Sequence, residues 1–522
     1  MTGKHTWIFY LLGFSFLIFS LLPTGYEISR RSNLRPDRSF ELVHNFPTDY
    51  NFYLSRIRQG IEGRITIIEQ YTSEPHKGSF IHAFYLILGR VGRWVRVPWE
   101  RGGDVYHMAR VVLGATVLFL IAQFARRSFK SFPWQVIAFL LAVTASTWPK
   151  VVFEAGGWRF GGYMAWWSVM DSLQRITFIP HLLAGQALIL TLPMFFGRNW
   201  VFPAVMGFLL GMIFPPGLIF VYATLGIMAV FDRKYVKPLI NFFLLSIPSL
   251  IYLQLMTTFM PWNRLAQVDI IRPLPFDYTE YIKAVGPILP LGLLGLIMAL
   301  VKKEKSMNLA ISWVFAWISL LAIFRFIPSQ SPLRFSEMIP HVPLAILAAY
   351  LFTRLKYVKI VPIFLIGIGL FHMYSSWLWQ RDFVDHKIRA TLPLVPTGAY
   401  VMYPLKDFLS AMKFIQDNTK RNDIILSETT AGNYMPVYSG NTVYIGHDNT
   451  VNFEEKKETV KQFFSGKMKV EQAKNWMQEN NLKVIFFGPQ EREDGGVKEL
   501  EKVYPFLTPV YRNTYVTVLR RQ

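Results

Sequence analysis

Long apolar runs recur along the first 377 residues of this chain, and they restrict it to folds that cross a lipid bilayer. Hydrophobic residues make up 52% of the 522 residues, and the mean hydropathy is +0.27. A bilayer core about 30 Å thick is crossed by about 20 apolar helical residues. By this criterion we expect about eleven membrane-spanning helices, at 7–22, 105–124, 133–149, 181–197, 200–214, 216–231, 238–258, 284–301, 309–326, 337–351 and 358–377.

The basic residues between these runs predict the orientation of the chain. If the segments alternate, one side carries Arg126, Arg127, Lys130, Arg198, Arg233, Lys234, Lys237, Lys302, Lys303, Lys305, Arg354, Lys356 and Lys359. Short loops rich in Lys and Arg stay in the cytoplasm. We therefore expect a multi-pass membrane protein, with the first loop, 23–104, and the tail after 379 on the outer side.

Two segments with apolar character are interpreted differently. Residues 1–22 lack a clear small-x-small cleavage site and are expected to form an uncleaved anchor. In 79–97, Arg90, Arg93 and Arg96 recur every three residues, which predicts an amphipathic helix lying at the membrane interface.

From about residue 380 the composition becomes polar and the apolar runs shorten to strand length. Strands are predicted at 424–428, 442–447 and 483–489, helices at 453–464 and 470–481, and a final strand, which could lie at an edge of the sheet, at 515–521. This alternation is typical of a small open α/β sheet. We expect a membrane domain at 1–378 that includes the outward first loop, an ordered linker at 389–408, and an extracytoplasmic α/β domain at 379–522.

Composition also excludes several classes of function. Cysteine is absent, so the chain has no disulfide, thiolate metal site or cysteine nucleophile. The net charge of +21 is spread between apolar runs, and the chain carries no nucleic-acid-binding motif, so nucleic acid is not an expected partner.

Polar groups that lipid would not tolerate are concentrated in the outward loops. The first loop contains Asp49, Arg56, Arg58, Glu74, His76 and Lys77; the second contains Glu154, Arg159, Asp171 and Arg175; a later loop contains Arg334 and Glu337. A carboxylate can accept a proton from a hydroxyl group, and cations can hold a phosphate as it leaves. This pattern suits a substrate that has a lipid tail and an anionic head.

The order of these features resembles a known superfamily. A long first loop with the early Asp49, the sequence EPHK at 74–77 and VYHMARVVLGA at 105–115 are similar to the GT-C polytopic glycosyltransferases, such as protein O-mannosyltransferases and lipid A aminoarabinose transferases. The resemblance covers about 1–377. TAGNYMPVYSGNTVYIGHDNT at 430–450 and FFGPQER at 486–492 resemble the outer domain of uncharacterised bacterial relatives.

The resemblance implies a polyprenyl-phosphate-linked sugar donor and an inverting single displacement. Asp49 would take the acid position that acts at the acceptor, Lys77 with Arg56 or Arg58 would hold the donor phosphate, and Glu154 or Asp171 would be the second-loop acid. Here Tyr50 follows Asp49, where many members have Asp-Glu or Glu-Pro, so the donor type and the metal requirement stay open: no cofactor is certain, and a divalent ion held by Asp49 with a second carboxylate is an alternative. The acceptor is a protein, a lipid or a glycan.

Each candidate residue also has a structural interpretation. Asp49 could cap the helix predicted at 50–63, and Arg56, Arg58 and Lys77 could contact lipid headgroups. Glu154 or Asp171 could pair with Arg159 or Arg175, Arg334 could pair with Glu337, and a lone loop histidine such as His76 usually holds no metal. Gly432, Asn433, His447 and Asp448 are expected in loops at strand ends, where ligand sites and turns use the same residue types. A transporter and a non-catalytic cell-envelope assembly protein are the alternative functions.

Overall fold

The computed structural model describes residues 6–197, 201–271, 273–327, 330–355, 360–390 and 403–522. Most of the predicted linker, together with Arg198, Lys356 and Lys359, lies outside these ranges. The helices are α1 Thr6–Ser29, α2 Pro47–Ile61, α3 Ala83–Trp94, α4 Gly102–Ser128, α5 Phe132–Thr144, α6 Pro180–Phe195, α7 Val201–Ile213, α8 Pro215–Phe231, α9 Val236–Met256, α10 Asn263–Ile271, α11 Tyr278–Val285, α12 Ile288–Val301, α13 Asn308–Phe324, α14 His341–Arg354, α15 Val361–Arg389, α16 Lys406–Asn418, α17 Thr429–Tyr438, α18 Phe453–Phe464, α19 Val470–Glu479, α20 Pro489–Gly495 and α21 Leu500–Val503. The strands are β1 Lys150–Glu154, β2 Gly157–Gly161, β3 Ile424–Leu426, β4 Thr442–Val443, β5 Leu482–Phe487, β6 Leu507–Arg512 and β7 Thr517–Arg521.

The chain divides into two compact units. The first, here called the helical unit, comprises Met1–Gly25, His107–Leu253 and Asp269–Asp382. The second, here called the sheet unit, comprises Tyr26–Tyr106, Gln254–Val268 and Phe383–Gln522. Because the first loop shares a unit with the C-terminal residues, this division differs at the first loop from the proposed domains, 1–378 and 379–522.

The apolar segments form helices, which confirms the membrane class of the protein. Among the described residues, five helices are long and apolar enough to cross a bilayer (α15 by itself, and α1, α4, α9 and α13 with the short turns beside them), and the bent pair α11 and α12 could form a sixth span. The other predicted segments are the shorter apolar helices α5, α6, α7, α8 and α14. The predicted break at Pro215-Pro216 separates α7 from α8. The count of eleven spans is not confirmed, because these shorter helices have 10 to 17 residues.

Helix α14 forms the centre of the helical unit. Its side chains are buried over nearly the whole length from His341 to Phe352. Glycines on α12 allow close contact with it, because a Cβ atom on Gly295 would lie 2.0 Å from the carbonyl oxygen of Leu347. Small residues at such contacts are typical of packing between membrane helices.

The predicted C-terminal sheet is present in the sheet unit. Its strand order is β4-β3-β5-β7-β6, with β3 parallel to β4 and β5, and β7 antiparallel to β5 and β6. The last strand, β7, was expected at an edge, but β6 occupies that edge and the expectation is wrong. Strand β6 was not predicted, because Pro509 and a register shift beside it interrupt the alternation of apolar and polar residues that is typical of a strand.

The first loop contributes to the core of this sheet. Phe52 and Tyr71 belong to the same buried cluster as Phe408, Tyr434 and Phe486. The sheet is therefore covered on this side partly by α16 and α17 and partly by first-loop side chains.

The segment predicted as an interfacial helix is α3, and it packs on α2. A Cβ atom on Gly89 would lie 2.0 Å from the carbonyl oxygen of Ile57, so the two backbones touch. The guanidinium of Arg90 donates to the carbonyl oxygens of Arg64 (2.9 Å) and Gly63 (3.0 Å). Arg90 therefore binds the chain after α2, and the position of α3 at a membrane surface stays a prediction.

Two buried glutamates lie at the carboxyl ends of the neighbouring parallel strands β3 and β5. The Glu491 carboxylate accepts hydrogen bonds from the backbone N–H groups of Glu428 (2.7 Å) and Gly488 (2.9 Å). Burial raises the pKa of Glu428 to about 8, and repulsion by Glu491 adds to the shift. Burial also raises the pKa of Glu491 to about 7, although those backbone hydrogen bonds act to lower it.

These raised pKa values predict that the sheet unit loses stability as pH increases. Between an ordinary carboxyl pKa of 4.5 and the folded values of about 7 and 8, the folded state binds more protons than the unfolded state, so the free energy of unfolding decreases across that window. We expect Glu428→Gln to remove up to about 1.4 kcal/mol per pH unit of this slope. Thermal unfolding of the purified protein between pH 5 and 8 measures it, with the exposed Glu479→Gln as control; equal slopes in the native protein and Glu428→Gln would contradict the prediction.

Candidate functional site

The first-loop acid Asp49 lies in the first turn of α2. Pro47 occupies the first helical position, and Phe46 is the N-cap residue, without a capping side chain. The Asp49 carboxylate is half exposed. It is favoured there by the helix dipole, but it does not occupy the capping position considered in the sequence analysis.

One asparagine of the C-terminal segment holds the chain on both sides of Asp49. The side-chain amide of Asn433 donates to the carbonyl oxygen of Thr48 (3.1 Å) and accepts from the amide of Asn51 (2.9 Å). Its backbone carbonyl accepts a hydrogen bond from the hydroxyl of Tyr71 (3.0 Å). Asn433 lies in α17 and not in the predicted loop. It therefore fixes where α2 begins.

A histidine of the C-terminal segment faces Asp49. The Nε2 atom of His447 lies 3.7 Å from Oδ1 of Asp49, and its ring stacks on Phe52 with centroids 4.6 Å apart. The loop that carries His447 is anchored by Arg264, whose Nε donates to the carbonyl oxygen of Asp448 (2.8 Å). Thus the sheet unit brings an acid and an imidazole together.

The two arginines of α2 are occupied by protein partners. Arg56 is fully buried, with a guanidinium nitrogen 2.5 Å from the carboxylate of the buried Glu69. Arg58 pairs with Glu62 at 2.8 Å, and its guanidinium also donates to the carbonyl oxygen of Val437 at 2.5 Å. Burial lowers the pKa of Arg58 to about 10, with a further contribution from Arg421. Both charges therefore attach the first loop within the sheet unit.

The residues of the EPHK sequence have distinct environments. Glu74 lies 2.6 Å from the ammonium of Lys456. The Nδ1–H of His76 donates to the carbonyl oxygen of Glu74 (2.7 Å), and Nε2 accepts from the backbone N–H of Glu69 (2.9 Å). Both ring nitrogens of His76 are thus used within the protein. Lys77 is exposed, and among the described residues its ammonium forms no ion pair.

The second loop lies in the helical unit, where most of its charged groups serve the fold. Oδ1 of Asp171 accepts hydrogen bonds from the backbone N–H groups of Leu173 (2.8 Å) and Gln174 (2.9 Å). The guanidinium of Arg175 donates to the carbonyl oxygens of Val143 (2.9 Å) and Ala145 (2.5 Å). Burial lowers the pKa of Arg175 to about 10, and Asp171 opposes the shift.

The remaining second-loop acid, Glu154, is exposed at the end of β1 beside the turn to β2. Arg159 of β2 pairs with Asp382, whereas Asp171 interacts electrostatically with Arg175, the other arginine for which a second-loop acid was considered as a partner. The second loop is held by Arg110 of the VYHMARVVLGA sequence, whose Nε donates to the carbonyl oxygen of Thr177 at 2.9 Å.

Arg334 and Glu337 also lie in the helical unit. Arg334 belongs to the short turn Pro332–Phe335, and the Glu337 side chain is buried. The backbone carbonyl of Glu337 accepts a hydrogen bond from the Gln186 amide at 3.3 Å. Their pairing with each other and their contact with a substrate stay predictions.

A metal site was left open in the sequence analysis. In the described ranges, no group of three or more histidines and carboxylates is arranged to hold a metal ion. The idea that Asp49 and a second carboxylate share a divalent ion therefore stays a prediction.

Comparison with known proteins identifies the architecture. No family model and no curated protein sequence matches the chain. In contrast, the apo oligosaccharyltransferase of Archaeoglobus fulgidus superposes with a TM-score of 0.53 at 12% identity, over 93% of this chain and 70% of the other. Apo ArnT of Cupriavidus metallidurans superposes with a TM-score of 0.50 at 10% identity, over 98% and 97% of the two chains. The chain has the same fold as these two proteins, which is the GT-C fold expected from the sequence.

A further structure with the GT-C fold carries ligands. It is the oligosaccharyltransferase AglB of Archaeoglobus fulgidus in complex with an inhibitory peptide and a dolichol-phosphate, with a TM-score of 0.50 at 11% identity, over 92% of this chain and 70% of the other. At these identities the likeness concerns the fold. The present chain is an integral membrane protein with this fold.

Sequence reasoning missed the partners that organise the first loop. Glu69, Asn51 and Asn433 were not recognised as one network, because their contacts join positions that are 13 to 382 residues apart. The only available signal was the residue type: a basic helix such as α2 needs nearby carboxylates if it is buried.

The buried pair of Arg56 and Glu69 predicts a large loss of stability on removal of one partner. Glu69→Gln leaves the guanidinium buried without a carboxylate, and we expect the free energy of unfolding to decrease by about 3 to 5 kcal/mol. The exposed pair of Arg101 and Asp104 provides the control, since Asp104→Asn should cost less than about 1 kcal/mol. Thermal unfolding of the purified variants measures both effects, and equal shifts would contradict the structural role of Arg56.

Proposed function

We propose that the chain is a membrane glycosyltransferase that moves a sugar from a polyprenyl-phosphate donor to an acceptor on the extracytoplasmic face. The observation that carries this proposal is a half-exposed carboxylate, Asp49, fixed at the start of a first-loop helix in a protein with the GT-C fold. The dolichol-phosphate in the AglB structure supports a lipid-phosphate donor.

The proposed reaction is a single displacement. Asp49 takes the proton of the acceptor hydroxyl, and the acceptor oxygen forms a bond to the anomeric carbon of the sugar. The bond between that carbon and the phosphate oxygen breaks, and its electron pair leaves with the polyprenyl phosphate. Because the acceptor attacks opposite the leaving group, the anomeric configuration inverts.

The exposed Lys77 is our candidate for the donor phosphate, since an ammonium without a protein carboxylate can stabilise the charge that develops on the leaving group. Arg56 and Arg58 support the reaction by holding the first loop in place. Glu154 is favoured over Asp171 as the second acid, because the Asp171 carboxylate already accepts two backbone hydrogen bonds. Direct substrate roles for Glu74, His76, Arg175, Arg334 and Glu337 stay predictions.

The sidedness of the reaction rests on the distribution of basic loops. Arg126 and Arg127 lie in the last turn of α4 and Lys130 comes just after it, and Lys302, Lys303 and Lys305 follow α12. Basic loops of this kind stay in the cytoplasm, so the first loop and the C-terminal segment are proposed to face the outside of a bacterial plasma membrane.

Transfer of radiolabelled sugar from a panel of polyprenyl-phosphate sugars tests the proposal. Membranes containing the native protein should label an endogenous acceptor, and Asp49→Asn should reduce the rate about 10²- to 10⁴-fold, because an amide cannot accept the proton. Asp104→Asn, an exposed change in the same unit, should retain native transfer.

Equal insertion of all variants is checked by their amounts in purified membranes. Undiminished transfer by Asp49→Asn would contradict the role of Asp49. Failure of the native protein to transfer sugar from every donor in the panel would favour the transporter or the assembly protein.

A further inference from the structure

A histidine from the C-terminal segment is placed against the proposed catalytic acid. His447 and Asp49 are 398 positions apart in the sequence, yet His447 Nε2 lies 3.7 Å from Asp49 Oδ1. The imidazole is largely buried, with 11% of its surface exposed, whereas the carboxylate is 50% exposed. The fixed group is therefore the histidine, and the adjustable group is the acid.

The surroundings of His447 hold its ring in one position. One face of the ring stacks on Phe52, one helical turn after Asp49, with centroids 4.6 Å apart. The hydroxyl of Thr450 accepts the backbone N–H of His447 (3.4 Å) and donates to the carbonyl oxygen of Tyr71 (2.6 Å). The His447 loop is thus bound to the same first-loop residues that pack beside α2.

The hydrogen bonds of the ring define which nitrogen carries the proton. Nδ1 of His447 accepts the backbone N–H of Asn449 at 3.2 Å. A ring nitrogen that accepts a hydrogen bond has no proton, so the neutral ring has its N–H at Nε2. That N–H is on the side of Asp49.

We propose that His447 is a positioning residue for Asp49, an inference that rests on the proposed function. The Nε2–H group donates to Oδ1 and leaves Oδ2 directed at the acceptor hydroxyl. Closing the present separation to a hydrogen bond requires a shift of about 0.5 to 1 Å, within the reach of one side-chain rotation. Catalytic hydrogen bonds often tighten when substrate binds.

The expected benefit is orientation of the base. Without a partner, a half-exposed carboxylate rotates among several rotamers, and few of them direct an oxygen at the acceptor. Misplacement of a reacting group by about 1 Å can reduce a rate about 100-fold. The C-terminal segment would then supply a part of the active site.

Two substitutions separate the hydrogen bond from the packing. His447→Phe retains an aromatic ring on Phe52 but removes the N–H, and His447→Gln loses the ring but retains an amide N–H of similar reach. We expect His447→Phe to reduce kcat of sugar transfer about 10- to 100-fold with KM changed less than about threefold. His447→Gln should retain activity within about fivefold of the native protein.

A double substitution tests whether the two residues act together. In the Asp49→Asn background, His447→Phe should cause no further loss of transfer, because the group that it positions is already inactive. Native kcat in His447→Phe, or equal losses in His447→Phe and His447→Gln, would overturn the inference. If Asp49→Asn retains native transfer, the proposed function fails. If Asp49→Asn is inactive but His447→Phe retains native transfer, the inference about His447 fails and the proposed function stands.

A measurement on the native protein covers the case in which the variants do not fold. Among the ten histidines, His447 alone follows a glycine, so labelling glycine carbonyl carbon with ¹³C and histidine with ¹⁵N isolates the Gly446–His447 pair in solid-state NMR. We expect a protonated Nε2 and an unprotonated Nδ1. The opposite tautomer would place a lone pair towards Asp49 and overturn the inference.

Discussion

Burial of two arginines under the C-terminal segment is the constraint on which the proposed site depends. A buried guanidinium is destabilising unless carboxylates or carbonyl groups surround it. Arg56 meets this demand through Glu69, and Arg58 through Glu62 and the Val437 carbonyl. Because hydrogen bonds to these partners are directional, they fix the rotation of α2 about its own axis as well as its attachment. The position of Asp49, two turns earlier on the same helix, follows from them.

Hydropathy was sufficient to predict the membrane class and the approximate limits of the apolar helices. Each apolar run is a local property of the sequence, and the bilayer imposes one length scale on all of them. The strands β3, β5 and β7 were found for a similar reason, since their short apolar runs are bounded by polar turns. Helix α17 was not predicted, because Gly432 and Pro436 are poor helix formers and tertiary contacts override their propensity.

The candidate site was only partly predictable. Asp49 stood out as a carboxylate in a loop predicted to face outward. Arg56 and Arg58 looked like exposed phosphate ligands, because the sequence of a basic helix face is the same whether water or protein covers it. The nearness of His447 could not be seen at all, since it depends on how the sheet unit folds around α2. Its residue type suited a ligand site and a turn equally well.

The proposed activity follows from this site more than from the fold. GT-C architecture supplies a membrane scaffold, and a fold alone does not define the chemistry that it carries. The specific claim is that Asp49, an acid held by the C-terminal segment, takes the proton of the acceptor that attacks the sugar. In an inverting displacement, the base, the acceptor, the anomeric carbon and the phosphate follow one another in space, which limits the distance between the Asp49 carboxylate and the donor phosphorus to less than about 9 Å.

A cryo-electron microscopy map of the native protein with bound polyprenyl phosphate measures this distance directly. If Asp49 is the base, phosphate density lies within that limit of Asp49; phosphate density at a site well beyond it would show that Asp49 does not act in the transfer.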